Sequence, residues 1–325
     1  MDLLLQNLLQ PPILFFVLGM AAVFLKSDLE LPAPLPKVLS LYLLFAIGLH
    51  GGASLAKSGF GLNVILPLGA ALLLAAVLPV ISFFILRTRL SAPDSAAIAA
   101  AYGSVSAVTF LAACNFLEQV NVEFGGYMIA ALALMEFPAI IVGMLLLKRE
   151  RPDAKEATGK PITLGHLVVE SLLNGSIFLL LGSLVIGFVA GDAGWKKVSP
   201  FAQDLFAGVL CLFLLDMGMA VARRGASIRK AGAFPMAFAL AFPPVAGSLA
   251  LVIAWVLKLP AGDSLLLALL AASASYIAVP AVMRVSVPEA NPGLYVPMAL
   301  SLTFPLNVLV GIPVFFKIIT MLWTV

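Results

Sequence analysis

The sequence predicts an all-α integral membrane protein with ten transmembrane helices, built as a five-plus-five inverted repeat in which two broken helices cross near mid-membrane. Three observations carry this expectation. The chain of 325 residues is 62% hydrophobic and 11% charged, with a mean hydropathy of +1.12, far more apolar than a soluble core of this size requires. Apolar runs near the roughly 20 residues that a bilayer core needs recur along the whole chain. Finally, two interrupted segments rich in small residues stand at corresponding places in the two halves.

The elements follow in order. The first apolar run, near 11–25, is short, and Pro11 and Pro12 suit a helix start. Before it, MDLLLQNLLQPP lacks the basic n-region of a cleaved signal peptide and reads as mature sequence. Runs near 37–55 and 61–86 precede the first interrupted segment, 92–114, and a fifth run covers 125–147. The polar stretch KRERPDAKEATGKPITLGH, residues 148–166, is long enough for a solvated linker and too short for a domain. Five further runs follow, near 167–190, 201–222, 231–257, 264–283 and 292–322. The expected organisation is therefore a first repeat at 1–147, a cytoplasmic linker at 148–166 and a second repeat at 167–325.

The repeat shows in particular residues. Asp94, Ser95, Ser104 and Ser106 match Asp263, Ser264, Ser273 and Ser275; Tyr127, Phe137-Pro138 and Gly143 match Tyr295, Phe304-Pro305 and Gly311; LFAIGLHGG aligns with LFLLDMGMA. All fall at offsets of 167 to 169 and in the same order. Because each copy holds an odd number of helices, the second enters the membrane from the opposite side. Charge agrees with this arrangement: of the 19 Lys and Arg residues, 14 fall on the side of the linker and 5 on the other. The positive-inside rule makes the richer side cytoplasmic, with both termini outside and with Arg223, Arg224, Arg229 and Lys230 inside.

Broken helices at membrane depth leave backbone groups that only protein or a watery cavity can satisfy. The small residues Gly103, Ser104, Val105, Ser106, Ser273, Ala274 and Ser275 at the two breaks allow close approach of a ligand. Restarting helix ends attract anions, and freed carbonyls suit sodium. The same residues also suit close helix packing. Charges within apolar runs cost roughly 2.5–3.5 kcal/mol on insertion scales. Glu136, in LALMEFPAI, and Asp216, in LFLLDMGMA, are therefore candidate ion-coupling groups, Glu136 lying where Pro138 should disrupt its helix. The alternative for each is an ion pair with a loop Lys or Arg. Asp94 and Asp263 read as helix caps.

Several classes drop out. The net charge of +3 is spread over loops, so no basic face for nucleic acid exists. His50 and His166 lack partners at metal-ligand spacing, and Cys114 and Cys211 read as free thiols in apolar helices. No nucleophile elbow, phosphate loop or zinc-protease motif occurs, so neither an enzyme nor a resident cofactor or metal is expected.

In order along the chain, GLHGGAS, AAYGSVSAVTFLAACNFLE, ALMEFPAI, VVESLLNGSIFLLLG, MGMAV, AASASYIAVPAVMR and EANPGLYVP resemble the sodium-dependent bicarbonate transporter family of cyanobacterial type. The resemblance implies a homotrimeric sodium symporter of the bacterial inner membrane, with bicarbonate and sodium held between the broken helices. It implicates Gly103, Ser104, Ser106, Thr109, Ser273 and Ser275. Two departures stand out. Glu136 takes the place of an Asp in the family pattern, and Tyr276-Ile277-Ala278-Val279-Pro280 replaces Asp-Ile-Ser-Gly-Pro, which removes an acid beside the implied ion site. The linker is also shorter than in members that bind a trimeric PII-like regulator. The reading is thus secondary transport of a small anion, bicarbonate with sodium as co-substrate. Its alternatives are another anion or carboxylate with proton coupling, or a non-transporting sensor or assembly protein on the same fold.

Overall fold

The computed structural model describes residues 8–59, 61–151, 169, 173 and 175–323. The described chain is helical, with no strand. Its elements are α1 (Pro11–Phe24), α2 (Leu35–Ser58), α3 (Leu62–Arg87), α4 (Ala92–Gly103), α5 (Ala107–Gln119), α6 (Tyr127–Glu150), α7 (Gly175–Ala202), α8 (Phe206–Ala231), α9 (Ala233–Val256), α10 (Ala261–Ala272), α11 (Ala278–Ser286) and α12 (Pro292–Leu322). Eight stretches among the described residues are long and apolar enough to cross a membrane, the α4–α5 pair counting as one, while α1 and α10 are shorter apolar helices. The protein is a multi-pass membrane protein. The linker expected at 148–166 begins inside α6; residues 152–166, with Lys155, Lys160 and His166, lie outside the described residues, as do the side chains of Arg229 and Lys230.

Burial divides the helices by role. In the α4–α5 stretch 94% of the apolar window is enclosed by protein, against 22% in α7. Leu73 of α3, Val185, Ile186 and Val189 of α7, and Val245 and Val252 of α9 are exposed, as lipid-facing side chains must be when the solvent is hydrocarbon. The broken helices form the centre and the unbroken ones wrap them.

The packing is crosswise. Helix α1 lies along α8 and α2 lies along α7, so each of these pairs takes one helix from each half of the chain. Small residues set the approach, as is usual between helices in lipid. A Cβ at Gly218 would run into the Phe16 carbonyl oxygen, and one at Gly52 into that of Leu184; Phe16 and Leu184 are themselves 168 positions apart. The remaining elements form two further groups, α3 with α4 and α6, and α9 with α10 and α12.

Three elements differ from expectation. Helix α6 continues through Pro138 instead of breaking there; a proline removes one backbone donor, and packing on α3 and α4 holds the helix together around it. Helix α7 extends to Ala202 across a kink at Gly191, whose φ of 58° only glycine adopts readily. Its counterpart of Phe137-Pro138 shows where α12 does depart from α geometry: Met298–Thr303 and Asn307–Gly311 are π-helical on either side of Phe304–Leu306. Such wide turns free side chains to serve neighbours. Thr303 donates from Oγ1 to the Ala239 carbonyl and meets the Tyr102 hydroxyl at 2.8 Å, and Asn307 donates from Nδ2 to the Ala272 carbonyl, the last of α10.

Candidate functional site

The two breaks are built alike. Ser104 ends α4 in extended backbone at φ −87°, ψ −172°, and Ser273 ends α10 at φ −87°, ψ 174°. Across the centre each break supplies what the other lacks. The Ser106 amide donates to Ser273 Oγ at 2.9 Å, and the Ser275 amide donates to the Ala101 carbonyl at 2.8 Å. Ser273 Oγ in turn donates to its own Leu270 carbonyl. The Ser106 and Ser275 amides stranded by the interruptions are thus paired within the protein, as non-helical chain at membrane depth favours.

Both chains then restart as helices pointing their amino ends at this crossing. Ser106 caps α5 by accepting from the Thr109 amide at 3.2 Å, and Ser275 accepts from the Val279 amide at 3.2 Å. The amides of Ala107 and Val108 in α5, and of Ile277 and Ala278 at the start of α11, have no acceptor among the described residues. Unpaired amides at a helix start, together with its dipole of roughly half a positive charge, favour an anion.

These helix starts face a small cavity of about 50 Å³ at the junction of α2, α5, α6, α7, α8 and the start of α11. Its polar lining comes from Ser40, Ser106, Glu136, Ser176, Ser275 and Tyr276; the rest is apolar, with Leu44, Leu132 and Phe213 prominent. Glu136 is buried, accepts from Ser104 Oγ at 2.9 Å, and has no ion-pair partner among the described residues. The ion pair considered as its alternative role is absent there. Tyr276 packs its ring edgewise on Phe304, with ring centroids 5.8 Å apart, and turns its buried hydroxyl toward Ser106 without closing a hydrogen bond.

The sequence candidates therefore separate. Val105, Ser106, Ser275, Glu136 and Tyr276 line the cavity. Ser104, Thr109 and Ser273 stand one layer behind, each bonded to a lining residue or to the crossing backbone. Gly103 and Ala274 are buried packing positions, and a Cβ at Gly103 would run into the Pro79 ring. Asp216 does not reach this cavity; it lines a different one with Arg224 and Arg284, of which Tyr276 and Ile277 form the shared wall.

Asp94 and Asp263 are not the helix caps they were expected to be. Ser91 and Pro260 occupy those positions, and the two acids reach across the molecule. Asp263 accepts from the Gly125 amide at 2.6 Å and from the Tyr127 hydroxyl. Asp94 accepts from the Asn291 amide at 2.8 Å, close to Tyr295. Each acid of one half thus holds the start of the last long helix of the other half. A sequence signal for this existed, since both Asp and both Tyr were among the repeated residues. Ser40 carried none, being an isolated serine without a counterpart in the repeat, and Ser176 was marked only by its place in the VVESLLNGSIFLLLG motif.

One family model, that of the Na+-dependent bicarbonate transporter superfamily, matches residues 11–320. The chain belongs to this superfamily. The match covers all twelve helices except the last two residues of α12, so both breaks and the cavity between them lie inside the bicarbonate transporter match. No curated protein matches the chain. Membership makes the protein a transporter-family member and not one of an enzyme family. Its free Cys114 and Cys211 agree with the reading of the two thiols.

Proposed function

We propose that this protein is a secondary active transporter that takes up bicarbonate in symport with sodium, through a five-plus-five inverted repeat of ten membrane passages. The observation that carries the reading is the pairing of opposite chemistries in one cavity: a buried carboxylate without a protein cation, Glu136, beside two helix starts with unpaired amides. A buried carboxylate is costly unless something positive accompanies it. A transported cation answers that need, and an anion held at the amides and hydroxyls completes a neutral load. Neither ion alone satisfies both walls, which is the physical basis of coupling.

Reciprocal contacts support the inverted repeat. The Asp94 and Asp263 contacts, the α1–α8 and α2–α7 pairs, and the matched backbone of Ser104 and Ser273 each relate one half to the other at nearly constant offset. In this reading the cavity sits between the crosswise group α1, α2, α7 and α8 and the broken helices, where relative movement of the two groups would expose it to alternate sides. The membrane is the bacterial inner membrane, with the Arg223 and Arg224 end of α8 in the cytoplasm.

A second reading draws on Tyr276. Sodium prefers several hard oxygen ligands, and a tyrosine hydroxyl where the related pattern has an acid offers a neutral donor suited to an anion. Glu136 would then carry a proton, and the substrate would be bicarbonate or another small carboxylate. Uptake of labelled bicarbonate into proteoliposomes, driven by an inward sodium gradient or by an inward proton gradient, separates the two. Accumulation under the sodium gradient alone supports sodium symport; accumulation under the proton gradient alone supports the second reading. Uptake under neither, with intact protein, removes both.

A further inference from the structure

Three cavities follow one face of α8. The first meets it at Phe206, the central one at Phe213, and the third at Asp216, Met217, Ala220 and Arg224. From Phe206 to Arg224 a helix rises about 27 Å, nearly the depth of a bilayer core. The outer two cavities are also related by position. One takes its lining from α2, α5 and the chain before α6, with α7 and the start of α8 closing it, and the other from α8, α11 and α12; α2, α5 and α6 correspond to α8, α11 and α12 in the two halves.

Their chemistry differs. The first vestibule presents His50, its ring 4.7 Å from that of Trp195, with Glu118 and Gln203. The third, an open cavity of about 390 Å³, presents two exposed guanidinium groups, Arg224 and Arg284, against one carboxylate, Asp216. Neither arginine has an ion-pair partner among the described residues; the neighbouring Arg223, not Arg224, pairs with Glu30 at 3.7 Å. Two cations against a single acid give the lining surplus positive charge, and the Tyr276 hydroxyl in the same wall makes no closed hydrogen bond. A planar guanidinium fork matches a carboxylate-like oxyanion bidentately.

We propose that Arg224 and Arg284 form a second anion-binding site, for bicarbonate or a small oxyanion of the same planar form, in series with the central cavity and divided from it by Tyr276 and Ile277. Its place in a transport path rests on the function proposed above; the binding itself does not. An anion leaving the central cavity past Tyr276 meets the arginines next, and Asp216 competes with it there, which keeps the hold weak enough for release.

The test is equilibrium binding of labelled bicarbonate to the purified full-length protein in nanodiscs of phosphatidylcholine, at constant ionic strength. Wild type should bind two equivalents, and R224Q/R284Q should lose one, with at least tenfold weaker binding at that site. R224K/R284K keeps the charge but not the planar fork; it should fall between them, and it guards against a misfolded glutamine variant. A single wild-type equivalent that disappears in R224Q/R284Q would uphold this site and remove the central one. Unchanged stoichiometry and affinity in R224Q/R284Q would overturn the proposal and leave the central site standing. Phosphatidylglycerol that co-purifies with wild type but not with R224Q/R284Q, with no second bicarbonate equivalent, would make the cavity a lipid-headgroup site and overturn it as well.

Discussion

The backbone amide of Ser106 donates to the side chain of Ser273 across the centre of the molecule, 2.9 Å away. The two residues are 167 positions apart in sequence and lie in the two breaks that the repeat aligns. One hydroxyl thereby does two tasks, accepting from the opposite break and donating to the Leu270 carbonyl of its own helix. The geometry of the central cavity depends on that joint.

Ser273→Ala should leave the Ser106 amide without its partner in a dry interior, while the Leu270 carbonyl keeps the Ser273 amide at 3.3 Å. A buried group stripped of its hydrogen bond costs about 1–3 kcal/mol. Thermal unfolding in detergent should show a lowered midpoint, and bicarbonate uptake should fall with it. Ser106→Ala removes the acceptor of the Thr109 amide and hydroxyl, a cap worth about 1 kcal/mol, and should be the milder of the two in unfolding.

The crossed acids should be unequal. Asp263 is buried and holds both the Gly125 amide and the Tyr127 hydroxyl, whereas Asp94 is more exposed and shares its carboxylate between Asn291 and its own capping residue, Ser91. Hydrogen bonds to charged groups contribute about 1.5–3 kcal/mol each. Asp263→Ala should therefore destabilise the protein more than Asp94→Ala, and Tyr127→Phe should reproduce part of the larger loss. Parallel unfolding curves of the three variants check the order.

Tyr276→Phe deletes a buried hydroxyl that makes no closed hydrogen bond and keeps the ring against Phe304. Stability should change little, by under about 1 kcal/mol. If the hydroxyl receives the anion, the apparent KM for bicarbonate should rise several-fold while kcat holds. A variant with wild-type KM would take Tyr276 out of substrate contact.

Much of this was legible in the chain because membrane folding leaves strong marks. Apolar runs located the helices, and the duplicated serines located both breaks, since a hydroxyl or glycine in an apolar run is costly unless used. What the chain did not show is how the halves cross. Asp94 and Asp263 look like caps when each helix is read alone, and only three-dimensional pairing reveals that their partners are Asn291, Gly125 and Tyr127. Pro138 looked like a break, yet α6 passes through it, because tertiary packing on α3 and α4 outweighs one missing donor. The π-helical turns around Phe304–Leu306 were equally hidden, as local sequence does not specify a wide turn. The place of Arg284 beside Arg224 in one cavity likewise emerges from folding alone.

Ser104→Ala removes the hydroxyl that, among the described residues, donates to Glu136. Because Ser104 does not itself line the cavity, an effect of this variant must pass through the carboxylate. Sodium dependence should shift by roughly tenfold or less, the scale of one charge-assisted bond of about 1.5 kcal/mol, with the bicarbonate KM little altered. A change confined to bicarbonate KM would place Ser104 with the substrate instead.

The most direct measurement is a sodium titration of labelled bicarbonate uptake into proteoliposomes, at two mildly alkaline pH values, for wild type and Glu136→Gln. The substitution keeps the shape of the side chain and its bond to Ser104 while removing the charge, so assembly should be preserved and is checked by gel filtration. Wild type should show saturable sodium dependence at both pH values, and the variant should lose sodium-driven accumulation by at least tenfold. Undiminished sodium dependence in well-assembled Glu136→Gln protein would contradict the claim that this buried carboxylate holds the coupling ion.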